Sequence, residues 1–417
     1  MTTDGLTRRF IVLRALRWLP VGIVLPFFVI LPEARGLSIG EIGVVFAVHS
    51  AVAITFEVPS GALADTIGRR RVLLAGATVT TLSLVIFAVA ESVPAFMAST
   101  GLLAAGRALI SGALEAWYVD SLRALDPAAP LSVGMSRGTA AEAIAMAFGA
   151  LGAGGLVTIA GSGDGHGAFS GYGIAALAGA VAAVVYLVAV AVLVDEPRER
   201  FTSGPSTPPG RRVREIFATA RAEAAASTTV RVVFLTGVAI GMAFTAVELL
   251  WQPRLADLLS GSDTGGLAFG AMTAASMVAV AAGASASPRV GRLIGLRRGY
   301  LLALGVSAIF VTVLGAPGAA GLFAVVYLLA YLVSGVVEPM HFELLNDAVG
   351  PTARATLLSA ESLATQGGAL TANLGVGVLA ATQGLGAAWV VAGLFLLVTT
   401  AAVAAPLMRA ARQGAAA

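Results

Sequence analysis

Twelve long apolar segments constrain this 417-residue chain more than any other feature. A helix needs about 20 mostly apolar residues to cross a bilayer. Only 12% of the residues are charged and 58% are hydrophobic, whereas a soluble domain carries about 25% charged residues. We therefore predict an all-α membrane protein, with spans near residues 10–32, 42–64, 72–90, 95–122, 133–159, 173–194, 230–252, 267–288, 299–315, 319–346, 355–381 and 386–408.

The arginines indicate the orientation of the spans. All 26 basic residues are arginine, and most of them lie at one set of span ends. Only Arg35 and Arg254 fall at the other set. Because cytoplasmic loops carry the excess of basic residues, we predict a multi-pass protein of the cell membrane with both termini in the cytoplasm. Because the basic residues lie mainly in such loops, they do not suggest a nucleic-acid partner.

One polar stretch divides the chain into two parts. Residues 195–229 contain four prolines among charged residues, and no apolar segment interrupts them. We predict a cytoplasmic linker here, between an N-terminal bundle of six helices at 1–194 and a C-terminal bundle of six at 230–417. Residues 211–226 either form a short helix on the membrane surface or belong to a flexible linker.

The two parts also repeat each other in sequence. Residues 111–122 align with residues 334–345, and both segments begin with Ser-Gly and carry a glutamate at the fifth position. In addition, Glu142 in the fifth span matches Glu361 in the eleventh, 219 positions later. An internal repeat of this kind predicts two pseudo-symmetric bundles.

A charged loop joins the second and third spans, where a plain connector would need only polar residues. It reads Gly61-Ala-Leu-Ala-Asp65-Thr-Ile-Gly68-Arg69-Arg70-Arg71. Residues four apart, such as Asp65 and Arg69, can pair across one helical turn, and glycine permits a tight reversal. The pattern resembles the loop Gly-x-x-x-Asp-x-x-Gly-Arg-Arg/Lys of the major facilitator superfamily.

This resemblance covers nearly all of the chain and implies a transporter with twelve helices that works by alternating access. It implies a gating role for residues of the loop and for the acid at the end of the fourth span, namely Gly61, Asp65, Gly68, Arg69, Arg71 and Asp120. We expect a monomer in the lipid bilayer, without enzymatic activity and without a cofactor. The chain has no cysteine, and its histidines lack the spacing of metal ligands.

Ionisable side chains inside the spans are costly, and are therefore usually paired or functional. The acids predicted there are Glu57, Glu115, Glu142, Glu248, Glu338 and Glu361, and the arginines are Arg14, Arg17, Arg107 and Arg137. The acids either form ion pairs that close the cytoplasmic side or include one or two carriers of a transported proton. Arg107 either adjusts the proton affinity of a nearby carboxyl group during proton transfer, or is a buried arginine whose partners are backbone carbonyls or a fixed acid. His341, near Glu338, is either a packed polar residue or a proton relay.

These observations favour a proton-coupled exporter, an antiporter of a small cationic or neutral amphiphile. Acids outnumber arginines within the spans, and a negative cavity attracts cations and disfavours anions. One alternative is a proton-coupled importer of a small metabolite. A second is a non-transporting membrane sensor or partner protein built on the same fold.

We expect Asp65→Asn to insert and fold normally but to lose nearly all transport. The change keeps the size of the side chain and removes the negative charge to which the resemblance assigns gating. Substrate flux into proteoliposomes at matched protein amounts is the measurement. Wild-type flux from this variant would contradict a gating role for Asp65.

Overall fold

The computed structural model describes residues 2–161, 167–169, 171–195, 209–260 and 265–414, and within these ranges every regular element is a helix. The chain packs as two compact units. The first comprises Met1–Leu37, Ala51–Pro209 and Gly261–Ala274, and the second comprises Ser38–Ser50, Gly210–Ser260 and Ala275–Ala417.

Fifteen α-helices follow one another in the described ranges. The first eight are α1 (Thr3–Val24), α2 (Ile30–Ala34), α3 (Ile39–Ile67), α4 (Arg69–Val89), α5 (Val93–Ile110), α6 (Ala113–Leu125), α7 (Leu131–Ala160) and α8 (Gly171–Leu193). The others are α9 (Pro209–Ala226), α10 (Thr228–Leu258), α11 (Gly265–Ile294), α12 (Leu296–Val313), α13 (Ala320–Ala348), α14 (Pro351–Gln383) and α15 (Leu385–Gly414).

The helices confirm the predicted class of an all-α membrane protein. Within the described residues, 11 segments are long and apolar enough to cross a membrane, with α5 and α6 forming one of them. The remaining predicted span corresponds to α14, which is 33 residues long and carries serine, threonine, asparagine and glutamine along its length. Part of the predicted linker is helical, since α9 covers residues 211–226, and its place on the membrane surface stays a prediction.

The fourth predicted span, 95–122, is not continuous. It breaks after α5 at Ser111, and Gly112 then adopts a φ of 75° at the start of α6. This left-handed conformation is accessible to glycine at little cost. The break therefore places Arg107 in the last turn of one helix and Glu115 in the first turn of the next.

Glycines set the contact of α1 with α7 and of α10 with α14. A Cβ atom at Gly22 would overlap the backbone of Met146, and one at Gly149 would lie 3.0 Å from the Leu19 carbonyl oxygen. In the second unit, a Cβ atom at Gly241 would overlap the carbonyl of residue 365, and one at Gly368 that of residue 238. Both pairs of glycines recur at a spacing of 219 positions, so the repeat seen in the sequence is also a repeat in packing.

Arg35, one of the two arginines predicted outside the cytoplasmic set, is buried and caps the end of α4. Its guanidinium group donates hydrogen bonds of 2.6–3.3 Å to the carbonyl oxygens of Phe87, Ala88, Ala90 and Gly167. Burial lowers the pKa of Arg35, and the nearby Glu91 carboxylate opposes that shift. A cation at the C-terminal end of a helix also interacts favourably with the helix dipole. Arg35 thus holds the loop after α7 against α4.

Two adjacent glycines of α14 provide a matched test of this packing. We expect Gly368→Ala to lower stability by about 1–3 kcal/mol, because the added methyl group overlaps the backbone of α10. Gly367 has open space around its Cβ position, so Gly367→Ala should be neutral or raise stability by up to about 1 kcal/mol. The thermal midpoint of the purified protein in detergent measures both. Equal midpoints for the two variants would contradict the proposed contact.

Candidate functional site

The first unit brings two predicted acids together around one arginine. The Arg14 guanidinium lies 2.7 Å from a carboxylate oxygen of Glu115 and also forms an ion pair with Glu142. Arg17 approaches the same Glu115 oxygen at 3.3 Å. These side chains are mostly buried, with 12–25% of their surface exposed. Because guanidinium keeps its charge at any physiological pH, Glu115 and Glu142 have permanent counter-charges.

Arg107 lies apart from these ion pairs. Its guanidinium carbon is 5.6 Å from the centroid of the Trp18 ring, and that of Arg17 is equally far from the same ring. The residue is exposed, and in the described part of the chain no carboxylate lies within ion-pair distance of it. A cation over an aromatic face is favourable by about 0.5–2 kcal/mol.

The second unit holds a buried polar network without arginine. The Nε2 atom of His341 lies 2.9 Å from Oε1 of Glu361, and its Nδ1 atom lies 2.7 Å from the Tyr300 hydroxyl. Tyr300 in turn donates to the Thr236 hydroxyl over 2.7 Å, and Thr365 donates to Glu361 over 2.8 Å. His341 and Glu361 are only 4% and 7% exposed.

The hydrogen bonds of this network determine where its protons lie. Thr236 must donate its single hydroxyl hydrogen to the carbonyl of Val232, 2.8 Å away, because a carbonyl oxygen can only accept. Tyr300 then donates to Thr236, so its oxygen accepts from a protonated Nδ1 of His341. The contact between His341 and Glu361 therefore holds one proton, either on an imidazolium or on a neutral carboxyl group. Without that proton, two lone pairs would face each other in a buried site.

The internal repeat explains why the two units differ. Glu361 occupies the repeat position of Glu142, but Val233 and Thr236 stand 219 positions after Arg14 and Arg17. The second unit therefore lacks the permanent cations that neutralise the acids of the first. Imidazole takes their place beside Glu361, and imidazole exchanges its proton near neutral pH in its unperturbed state.

A cavity of about 570 Å³ opens beside this network in the second unit. Two acids, Glu338 and Glu361, line it together with His341, four neutral polar side chains and five apolar ones. Among the described residues that line it, none is an arginine. Glu338 is exposed, and among the described residues it makes no ion pair. This volume is typical of small-molecule sites, which measure about 300–1,000 Å³.

Glu248, the acid predicted in the outer half of its span, lies on α10. The hydroxyl of Tyr331 donates a hydrogen bond to its carboxylate. No arginine forms an ion pair with Glu248 among the residues that the structure describes. The structure therefore places Glu248 beside the aromatic residue Tyr331. It belongs neither to the ion pairs of Glu115 and Glu142 nor to the polar network of Glu361.

The segment predicted as a charged loop, residues 61–71, is mostly helical: it comprises the end of α3, Gly68 and the start of α4, and its side chains are partly described. Gly68 precedes α4 with a φ of 98°, Arg69 forms an ion pair with Asp120, and Arg71 is exposed. Glu57, Gly61 and Asp65 belong to α3, and their side chains lie outside the described part. The structure thus brings two members of the predicted gate, Arg69 and Asp120, into contact. The gating role itself stays a prediction.

Three residues of the buried network were not predicted from the sequence. Thr365 follows Glu361 by one helical turn, and this spacing could have identified it. Tyr300 and Thr236 come from other helices, and a lone tyrosine or threonine in an apolar span gives no local signal. Their contact with His341 depends on the packing of α10, α12 and α13.

Comparisons with known proteins agree with this architecture. The model of the Major Facilitator Superfamily matches residues 10–293. The nucleoside transporter NupG has a similar structure, with a TM-score of 0.77, 13% identity, and coverage of 96% of this chain and 98% of that one. The human organic anion transporter MFSD10 has a TM-score of 0.63 at 16% identity, covering 97% and 100%. At such identities these similarities show the fold alone. The search of curated proteins found no match.

We expect Arg14→Gln to destabilise the protein by about 3 kcal/mol, because Glu142 would keep a buried charge without its cation. The double variant Arg14→Gln/Glu142→Gln should recover much of this loss, since no uncompensated charge then remains at Glu142. Thermal unfolding of the four members of this mutant cycle is the measurement. If the stability losses of the two single variants add up in the double variant, the ion pair contributes nothing to stability.

Proposed function

Because the chain belongs to the major facilitator superfamily, we propose that it is a proton-coupled exporter of small cationic or neutral amphiphiles. Family and fold make it a multi-pass secondary transporter. The assignment of substrate and direction rests on one observation, the cavity of the second unit. The described part of its lining carries Glu338, Glu361 and His341 but no arginine. A site with acids and no fixed cation favours cations and disfavours anions.

The proton bridge between His341 and Glu361 supplies a means of coupling. When the bridging proton is present, the pair has no net charge, whether it consists of two neutral groups or of an imidazolium and a carboxylate. When the proton leaves, the pair gains one negative charge beside the cavity, and this charge attracts a cationic substrate. Proton and substrate thus favour opposite states of one carboxylate, which is the requirement for exchange. Protons that enter down their gradient would then drive the substrate outward.

The ion pairs of the first unit have a different role in this proposal. Arg14 gives Glu142 a permanent counter-charge, so we assign this ion pair a structural role. The charged contact of Arg69 with Asp120 would act with Asp65 as the gate. Coupling would therefore depend on the second unit, and conformational control on the charged loop.

Purified protein in proteoliposomes tests the proposal. A panel that includes ethidium, tetraphenylphosphonium and an anionic dye identifies a transported probe, and an internal pH dye reports proton movement. We expect the wild type to move a cationic or neutral probe against counter-flowing protons. Glu361→Gln should abolish the proton movement and keep probe exchange in the absence of a pH gradient, because the amide cannot accept the proton.

Asp257→Asn is the matched control. It makes the same change from carboxylate to amide on α10, at an exposed residue outside the cavity lining, and should couple as the wild type does. If Glu361→Gln still moves protons with the probe at the wild-type rate, the coupling site lies elsewhere. If the anionic dye is the only transported probe, the charge argument fails as well.

A further inference from the structure

Glu248 lies on α10 beyond the residues that line the cavity of the second unit. Ile240 and Phe244 line the cavity, and Glu248 follows them at the same spacing of four residues, on the same helix face. Its sequence neighbours Val247 and Leu249 are fully or almost fully buried, whereas Glu248 keeps partial access. The carboxylate therefore lies on the accessible side of α10, about one turn beyond the cavity wall.

Tyr331 occupies the corresponding place on α13, beyond the residues that line the cavity. Ser334 and Glu338 line the cavity, and Tyr331 precedes Ser334 by about one turn. The hydrogen bond from the Tyr331 hydroxyl to Glu248 joins these two helix faces at the outer end of the cavity. Glu248 and Tyr331 thus lie about one helical turn beyond the lining residues Phe244 and Ser334, and His341 and Glu361 belong to the lining itself.

Aromatic rings surround the Glu248 carboxylate. The ring of Phe244 meets that of Tyr331 edge to face at 6.1 Å between centroids, and Tyr327 lies 4.7 Å from Tyr331. Trp251 packs against Tyr327 at 5.2 Å and also interacts with Glu248. A cation beside such rings gains attraction from their faces in addition to the carboxylate.

The donors around Glu248 leave room for a ligand. A carboxylate has about four lone-pair sites, and the Tyr331 hydroxyl donates to this one. This donor is neutral, and among the described residues no cation forms an ion pair with Glu248. A structural carboxylate in this membrane region would be expected to have one, because an unpaired charge in the bilayer is costly.

We propose that Glu248, Phe244 and Tyr331 form the binding site for the ammonium group of a protonated amine, whose apolar body fills the cavity toward His341. The proposal rests on the proposed function, for which it names the substrate class. Eight residues separate Ile240 from Glu248, or about 12 Å along the helix, which suits an amine attached to one or two rings. The ammonium group would then be anchored at Glu248, while the charge that Glu361 gains on losing its proton attracts the same cation across the cavity.

Equilibrium binding tests the site without any transport. The probes are arylalkylamines, tryptamine among them, each paired with its N-acetyl derivative, which has the same ring and no positive charge. Calorimetry on the purified full-length protein should show that the wild type binds at least one amine and prefers it to its N-acetyl partner. Binding of no amine in the panel, or equal binding of both partners, would overturn the proposal.

The variants separate recognition from packing. Glu248→Gln should weaken amine binding at least tenfold and leave binding of the N-acetyl partner unchanged, whereas Glu248→Asp should recover part of the loss. Phe244→Leu should also weaken amine binding selectively. Asp257→Asn, on the same helix, should bind as the wild type does. Equal loss of both partners in Glu248→Gln would indicate a packing role and overturn the proposal.

The binding test of Glu248 can succeed or fail independently of the proton-movement test of Glu361. Selective amine binding that depends on Glu248 supports the site even if Glu361→Gln leaves proton movement intact. Conversely, proton-coupled flux of a protonated amine that is unchanged in Glu248→Gln would support the coupling and refute the ammonium site.

Discussion

The close approach of α10 to α14 determines where the polar groups of the second unit can lie. Gly241 and Gly368 remove the side chains that would hold these helices apart. With the backbones in contact, Glu361 packs over Gly237, where a Cβ atom would lie only 3.1 Å from its carboxylate oxygen. A bulkier pair of helices would leave Glu361 too far from α10 and α12 to share a network with Tyr300 and His341.

The same packing in the first unit supports a different chemistry. There Trp18 stands at the repeat position of Gly237, and Arg14 of α1 pairs directly with Glu142 of α7. Charge in a membrane interior must be neutralised, and the two units solve this problem with groups of different proton affinity. Guanidinium neutralises permanently, whereas imidazole neutralises only while the shared proton is present. The backbone repeat is thus conserved between the units, and the counter-ion is not.

The sequence predicts the helices better than the network. Lipid imposes a minimum length on every apolar span, so the spans and their order could be predicted from local composition. The break before Gly112 was missed because its signal is one Ser-Gly pair inside an apolar run. Glu361 and His341 could be identified as candidates, since any charge or imidazole in a span is costly. Their pairing could not, because it depends on Tyr300 and Thr236, which lie 41 and 105 positions from His341.

Arg35 has a consequence for the order in which the first unit is assembled. Its acceptors come from the end of α4 and from Gly167, so the guanidinium group has no complete set of partners until α4 and α7 have both been synthesised and inserted. Burial of Arg35 is thereby a late event in the folding of this unit, and it joins the connections that precede α3, α5 and α8 in one step.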